Sequence, residues 1–145
     1  AYFHERIREI HGRDVGVLAM GGFNDEPFDP SLTDYALAER QAQKVLNAQT
    51  PRLLNLMWPA VGTALGTHYY SNYASVLDQF LISKGLLTGA PGLKARVDSV
   101  RIERFPEMVS GGDYPDPIRF GRGDDADLAG YSDHYPISVV IEEDD

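Results

Sequence analysis

The chain has 145 residues, of which 43% are hydrophobic and 24% charged, the composition of a soluble globular protein long enough to bury a core. It has no cysteine, which excludes disulfides, zinc–thiolate sites and thiol catalysis. A net charge of −9 disfavours duplex nucleic acid as a partner, although a metal ion can supply positive charge locally. No apolar run approaches the length of a membrane span and no signal peptide opens the sequence, which favours a soluble, cytoplasmic protein.

The first segment predicts an amphipathic helix that ends at Gly12. Its apolar stripe, at helical spacing, consists of Phe3, Ile7 and Ile10. His4 and His11 flank that stripe and are predicted to be solvated. The sequence opens inside this element without a capping residue, which indicates a truncated chain.

A strand and a second helix are predicted next. The continuous apolar run over residues 14–20 is typical of a strand covered on both faces. It ends in Gly21-Gly22, and the following residues up to 30 have the composition of a loop. Ser31 or Thr33 would then cap a helix over residues 34–48, before Pro51 breaks the chain.

Strands dominate the remainder. One is predicted within residues 52–58, two within 66–83 around a polar turn at Ser71-Asn72, one within 97–105 and one within 135–143. Residues 106–130 are rich in Gly, Pro and Asp and predict a long surface loop. Only the first two segments look helical, so we expect a single domain over residues 1–145 of the α/β (or α+β) class, with more strands than helices.

Asp78 interrupts an apolar row. In a strand, Val76, Asp78 and Phe80 share one face, and a carboxylate in such a row is costly unless it is paired or hydrogen-bonded. One interpretation is a structural hydrogen bond or an edge-strand position. The other is a carboxylate that orients a histidine.

Asp133-His134 offers such a histidine, immediately before the last predicted strand. There the carboxylate can bind a hard metal ion and the imidazole can donate to a phosphate oxygen. The alternative without a functional role is a turn, because serine and aspartate, here Ser132 and Asp133, are common turn residues. A strand or hairpin position would explain His68, and none of the other histidines has metal-ligand spacing.

Three motifs in order resemble the endonuclease/exonuclease/phosphatase family, the deoxyribonuclease I-like metal-dependent phosphoesterases. They are G-x-F-N-D-x-P at residues 21–27, L-D-Q-x-L-I-S at 77–83 and G-Y-S-D-H-Y-P-I at 130–137. The resemblance spans Val15 to Val140. It implies a two-sheet α/β sandwich with its active site at the strand ends, and hydrolysis of phosphodiesters or phosphomonoesters with Mg²⁺ or Mn²⁺.

The resemblance also implies a role for each matching residue. Asn24 would hydrogen-bond the scissile phosphate, and Asp133 would ligate the metal. His134 would contact a phosphate oxygen and stabilise charge in the transition state, held in place by Asp78. The substrate stays open among nucleic acid, phospholipid, inositol phosphate and small diesters.

Two departures from the family pattern set the alternatives. Gly22 stands where the family has an aspartate that orients or deprotonates the attacking water. The alternative to an active enzyme is therefore a catalytically impaired relative that acts as a phosphate-binding, metal-binding or structural module. The chain also matches only the C-terminal half of the family pattern. We therefore expect a missing N-terminal half, or self-association through an uncovered sheet, to complete the domain.

Overall fold

A computed structural model describes residues 1–111, 114–121, 124 and 126–144. Within them it has three α-helices, α1 (Tyr2–His11), α2 (Ala42–Asn47) and α3 (Lys84–Thr88). Ten strands accompany them: β1 (Leu18–Gly22), β2 (Ala38–Glu39), β3 (Leu53–Asn55), β4 (His68–Tyr70), β5 (Tyr73–Ser75), β6 (Asp78–Ser83), β7 (Leu93–Ala95), β8 (Arg101–Ile102), β9 (Ile137–Ser138) and β10 (Ile141–Glu143). The predicted α/β class with an excess of strands is confirmed.

The largest sheet has four strands in the order β1-β6-β3-β2. β6 is antiparallel to both β1 and β3, whereas β2 runs parallel to β3. Three two-stranded sheets, β4-β5, β7-β10 and β8-β9, accompany it among the described residues. β6 is therefore an inner strand, and its first residue, Asp78, pairs with Gly22 at the end of β1.

The alternating residues of β6 serve two apolar clusters. On one face, Phe80 and Ile82 belong to a cluster that Ile102 of β8 and Ile137 of β9 pack against. On the other face, Leu81 packs in a second cluster formed with residues of β2, β3 and the segment before β2. Apolar cover on both faces explains the continuous apolar run Phe80-Leu81-Ile82 within β6.

The N-terminal helix forms and ends at Gly12 as predicted, but its buried face is not the predicted stripe. Phe3 and Ile10 are 80% and 61% exposed, whereas His4 is only 7% exposed. His4 lines a small cavity with Val45 and side chains at the far end of the sheet. The prediction that His4 is solvated is therefore wrong, and the one for His11 is confirmed, because tertiary contacts rather than hydropathy fix the helix rotation.

β1 is an edge strand, and the exposure of Met20 overturns the prediction of cover on both faces. Its ladder partner among the described residues is β6, and Met20 is 67% exposed. The strand also starts later than predicted, at Leu18, and continues through both glycines. An apolar run by itself does not distinguish a central strand from an edge strand.

The predicted helix over residues 34–48 is wrong as a single element. A π-helical turn, Ser31–Tyr35, comes first, and neither Ser31 nor Thr33 caps a helix with its side chain. Leu37 then adopts a positive φ of 56°, which lets β2 leave the turn and pair with β3. Helix propensity is overridden here by pairing with a strand more distant in sequence, and only α2 remains helical.

The remaining segments match the prediction in part. Ser71 and Asn72, with φ of 46° and 72°, form the predicted turn between β4 and β5, and β6 follows as a separate strand. The predicted strands shorten to β3 and β8, and the last one divides into β9 and β10. Both α3 and β7 were not predicted.

Between residues 106 and 130 the described part of the chain is irregular, as predicted, apart from a short helical turn at Pro106–Met108 and one bridge between Val109 and Pro117. Residues 112–113, 122–123 and 125 of this segment lie outside the described residues. Across the described ranges, the helices are all too short or too polar to traverse a lipid bilayer.

Candidate active site

The centre of the candidate site is the contact between Asp78 and His134. Nδ1 of His134 lies 2.6 Å from Oδ2 of Asp78. The side chains are only 15% exposed for Asp78 and 23% for His134, so solvent screens the pair weakly. A carboxylate on one ring nitrogen fixes the orientation of the imidazole and directs Nε2 toward a ligand.

Thr67 holds the two halves of this pair together. Its fully buried hydroxyl accepts hydrogen bonds from the backbone N–H groups of Leu77 at 3.0 Å and Asp78 at 3.2 Å. Its carbonyl accepts one from the N–H of Tyr135 at 2.7 Å. The start of β6 and the segment that carries His134 are therefore bound to the same residue.

Tyr135 anchors the segment from the other side. It is 1% exposed, its hydroxyl donates to the carbonyl of Pro115 at 2.6 Å, and the Arg104 guanidinium lies 5.5 Å above its ring. Burial raises the pKa of Tyr135 above its ordinary value, so the phenol stays protonated and keeps donating. Before it, the Ser132 hydroxyl accepts the backbone N–H of His134 at 3.1 Å, which closes the turn predicted as the alternative without a functional role.

Asn24 lies in the loop that leaves the neighbouring strand. The backbone N–H groups of Phe23 and Asn24 donate to the carbonyl of Leu77 at 2.9 and 3.2 Å, next to Asp78. Asn24 has a positive φ of 57° and an exposed side chain. The buried side chain of Gln79 secures the loop by donating to the carbonyl of Asp25 at 2.9 Å.

Gly22 faces Asp78 across the β1–β6 ladder. It does not adopt a positive φ, and a Cβ built on it would lie 3.3 Å from Oδ1 of Asp78. A side chain at this position therefore needs only a small shift of the Asp78 carboxylate. The position at which the family has an aspartate and this chain has Gly22 therefore lies beside the Asp78–His134 pair.

His68 is the functional candidate that sequence reasoning missed. It pairs with His134 in an isolated antiparallel bridge, and the two ring centroids are 4.9 Å apart. One potential ligand atom from each of His68, Asp133 and His134 lies within 4.8 Å of the others. No spacing signal in the sequence could have found this group, because the bridge joins segments far apart in the chain.

Arg119 brings positive charge to the same region. With Tyr131, Ser132 and Asp133 it lines a cavity of about 430 Å³. Burial lowers the pKa of His68, and the neighbouring His134 and Arg119 lower it further, which favours a neutral imidazole at neutral pH. An anion in this cavity would meet the Arg119 guanidinium next to Asp133.

The donor set decides which metal ion fits. Mg²⁺ prefers six oxygen ligands in octahedral geometry, and the one cluster of three ligand residues found among the described residues offers a single carboxylate, Asp133. Two imidazoles suit Mn²⁺ or Zn²⁺ better than Mg²⁺. The residues present therefore fit a divalent ion in general, and a magnesium site only in part.

The fold and site define a mixed α/β protein with a histidine–carboxylate pair and potential metal ligands at the end of an inner strand. A model of the endonuclease/exonuclease/phosphatase family matches residues 7–143. The chain therefore belongs to the endonuclease/exonuclease/phosphatase family. Searches of curated proteins and of solved structures found no match.

The predicted site residues are distributed accordingly. Asp78, His134 and Asp133 come together, and Asn24 follows the strand paired with Asp78. Their catalytic roles stay predictions. Family membership supports hydrolysis of phosphoesters with divalent metal in general, without identifying the substrate or the ion.

Proposed function

We propose that this chain contributes the histidine–carboxylate half of a metal-dependent phosphoesterase site, which hydrolyses a phosphodiester or phosphomonoester by attack of water. The observation that carries the proposal is the hydrogen bond of 2.6 Å between His134 and Asp78, which leaves Nε2 of His134 for the substrate. A protonated imidazole so oriented donates to a phosphate oxygen and stabilises the charge that develops during attack.

The surrounding residues have complementary roles in this proposal. Arg119 attracts the phosphate into the cavity beside Asp133, which offsets the unfavourable net charge of −9. Asn24 hydrogen-bonds the same phosphate from the loop after β1. Asp133 holds a divalent ion, Mg²⁺ or by donor preference Mn²⁺, which when bound polarises a phosphoryl oxygen.

A second candidate is a relative that binds phosphate or metal without hydrolysis. Gly22 favours it, since this position beside Asp78 has no side chain to orient the attacking water. Loss of such a group costs about 10²–10⁴-fold in rate. Both candidates are compatible with substrate binding, so only the rate of phosphoester hydrolysis distinguishes them.

Restoring the carboxylate tests the proposal. Hydrolysis of bis(p-nitrophenyl) phosphate and p-nitrophenyl phosphate is measured with Mn²⁺ and with Mg²⁺, for the parent chain and for Gly22→Asp, each alone and joined to a family-type N-terminal half. We expect Gly22→Asp to raise kcat about 10²–10⁴-fold, and His134→Asn in the same background to abolish the gain. Gln49→Asp is the control, because it adds the same charge on an exposed residue just before β3, whose Leu53 pairs with Ser83 at the opposite end of β6.

Three results contradict the proposed enzyme. If Gly22→Asp joined to the N-terminal half stays silent while calorimetry still detects phosphate or metal binding, the binding module replaces the enzyme. If Gln49→Asp raises the rate equally, the effect is not one of a positioned base. A chain that binds neither phosphate nor metal retains only a structural role.

A further inference from the structure

We infer a binding site for a late first-row transition-metal ion, formed by His68, His134 and Asp133. Zn²⁺ is the ion that fits it best, and the site binds Zn²⁺ in preference to Mg²⁺. This goes beyond the proposed hydrolysis and does not depend on it. Two imidazoles and one carboxylate are a common zinc ligand set, and a fourth position remains for water.

The backbone brings the ligands close before any ion binds. His68 and His134 are partners in an antiparallel bridge, which fixes their side chains on the same side of the chain pair. Their ring centroids lie 4.9 Å apart, and the ligand atoms of the three residues are within 4.8 Å of one another. Zinc bonds of about 2.0–2.2 Å place tetrahedral ligand atoms about 3.4 Å apart, so the three side chains must draw together to complete the site.

The residue with the most freedom supplies that contraction. Asp133 is exposed, and rotation of its side chain is unhindered by burial. His134 is fixed through Nδ1 by Asp78, which leaves Nε2 as the ligand atom. A histidine ligand whose other nitrogen hydrogen-bonds a carboxylate is the usual arrangement at zinc sites, and it raises the basicity of the ligand.

Charge also favours a cation here. Two carboxylates, Asp78 and Asp133, outweigh the guanidinium of Arg119, which influences His68 electrostatically. Nitrogen ligands favour Zn²⁺ over Mg²⁺, because Mg²⁺ retains water or oxygen ligands. An ion held by His134 occupies the nitrogen that the proposed hydrolysis assigns to phosphate, so Zn²⁺ bound at this site would inhibit that hydrolysis.

The test measures metal binding without substrate, so that its result is separate from that of the hydrolysis assay. Untagged chain is stripped with a chelator, dialysed, and titrated with Zn²⁺ or Mg²⁺ against a chromogenic chelator. We expect one Zn²⁺ per chain, bound at least about 100-fold more tightly than Mg²⁺. His68→Asn and Asp133→Asn should each weaken Zn²⁺ binding by more than tenfold, and Asp78→Asn by about 10–100-fold.

His11→Asn is the matched control, because it makes the same change at an exposed histidine outside the cluster. It should leave Zn²⁺ binding unchanged. If His68→Asn binds as tightly as the parent, or if His11→Asn loses affinity equally, the site is overturned. Should His68→Asn fail to fold, X-ray absorption of the zinc-loaded parent decides: two imidazole ligands support the inference, and one or none refutes it.

Discussion

At the level of single residues, the hydrogen bond between Asp78 and His134 raises the question whether Asp78 orients the histidine or only fills space in the core. Asp78 is largely buried, and its Oδ2 lies 2.6 Å from Nδ1 of His134. Removing the charge while retaining the shape therefore tests whether the carboxylate acts through the histidine. We treat Asp78 as a positioning residue.

Asp78→Asn, made in the Gly22→Asp background, is expected to lower kcat about 10²–10⁴-fold with little change in KM, since the amide no longer stabilises the charged imidazole. Steady-state kinetics over a range of pH measure this, and Asp78→Glu should recover part of the loss. Asp98→Asn removes an exposed carboxylate as the control. A fall in thermal stability with an unchanged pH profile would indicate a structural role alone.

The sequence predicted Asp78 and His134 for physical reasons that apply at the residue scale. A carboxylate within the alternation of a buried strand needs a partner, and the motif order supplied the candidate. His68 had no such signal, because its significance comes from a bridge to a distant segment. Arg119 was missed for the same reason, since its neighbours Ser132 and Asp133 are close only in space.

Among the elements, β6 connects the core to the site through a buried polar side chain. Gln79 is fully buried and accepts a hydrogen bond from Asn55 at 3.0 Å. It donates to the carbonyls of Asp25 and Val76, at 2.9 and 2.6 Å. The strand thereby holds the loop after β1 and the approach to Asp78 in one network.

Gln79→Leu is expected to destabilise the protein by about 2–4 kcal/mol, because it leaves a buried amide and two carbonyls without their partner. Urea unfolding followed by circular dichroism measures the free energy of unfolding. Gln43→Leu, at an exposed position of α2, should change it by less than about 0.5 kcal/mol. Equal effects of the two substitutions would contradict the network.

The elements also mark the limit of prediction from sequence. The Ser71-Asn72 turn was predictable, since residues that tolerate a positive φ are needed between paired strands. The edge position of β1 and the pairing of β2 with β3 depend on the topology of the whole sheet, which local patterns do not contain.

For the whole molecule, buried His4 links stability to pH. Burial, followed by the charges of Arg8 and the N-terminus, lowers the pKa of His4 from 6.5 to about 4. Above pH 6.5 the imidazole is neutral in both the folded and the unfolded state. As the pH falls from 6.5 toward 4 the unfolded state takes up the proton first, so stability is progressively lost.

His4→Leu should remove this part of the pH dependence. We expect the free energy of unfolding of the parent to fall more steeply than that of His4→Leu between about pH 6.5 and pH 4. Chemical unfolding at several pH values measures the two slopes. His11→Leu, at an exposed position, should follow the parent, and parallel slopes for parent and His4→Leu would refute the assignment.

The expectations of a single domain, of a missing N-terminal half and of self-association stay predictions. They rest on the length of the chain and on the part of the family pattern that it matches, and strand pairing or burial within one chain does not test them. Analytical ultracentrifugation at several protein concentrations would detect association directly.

The two glycines at the end of β1 differ in whether the backbone accepts a side chain in their place. Gly21 uses a φ of 131°, which L-residues seldom adopt, so most replacements there would be eliminated by selection for folding. Gly22 has no such requirement, and among the described residues a Cβ added there would closely approach only Oδ1 of Asp78, at 3.3 Å. Replacement of Gly22 by aspartate is therefore open to this backbone, whereas a side chain at Gly21 would strain it.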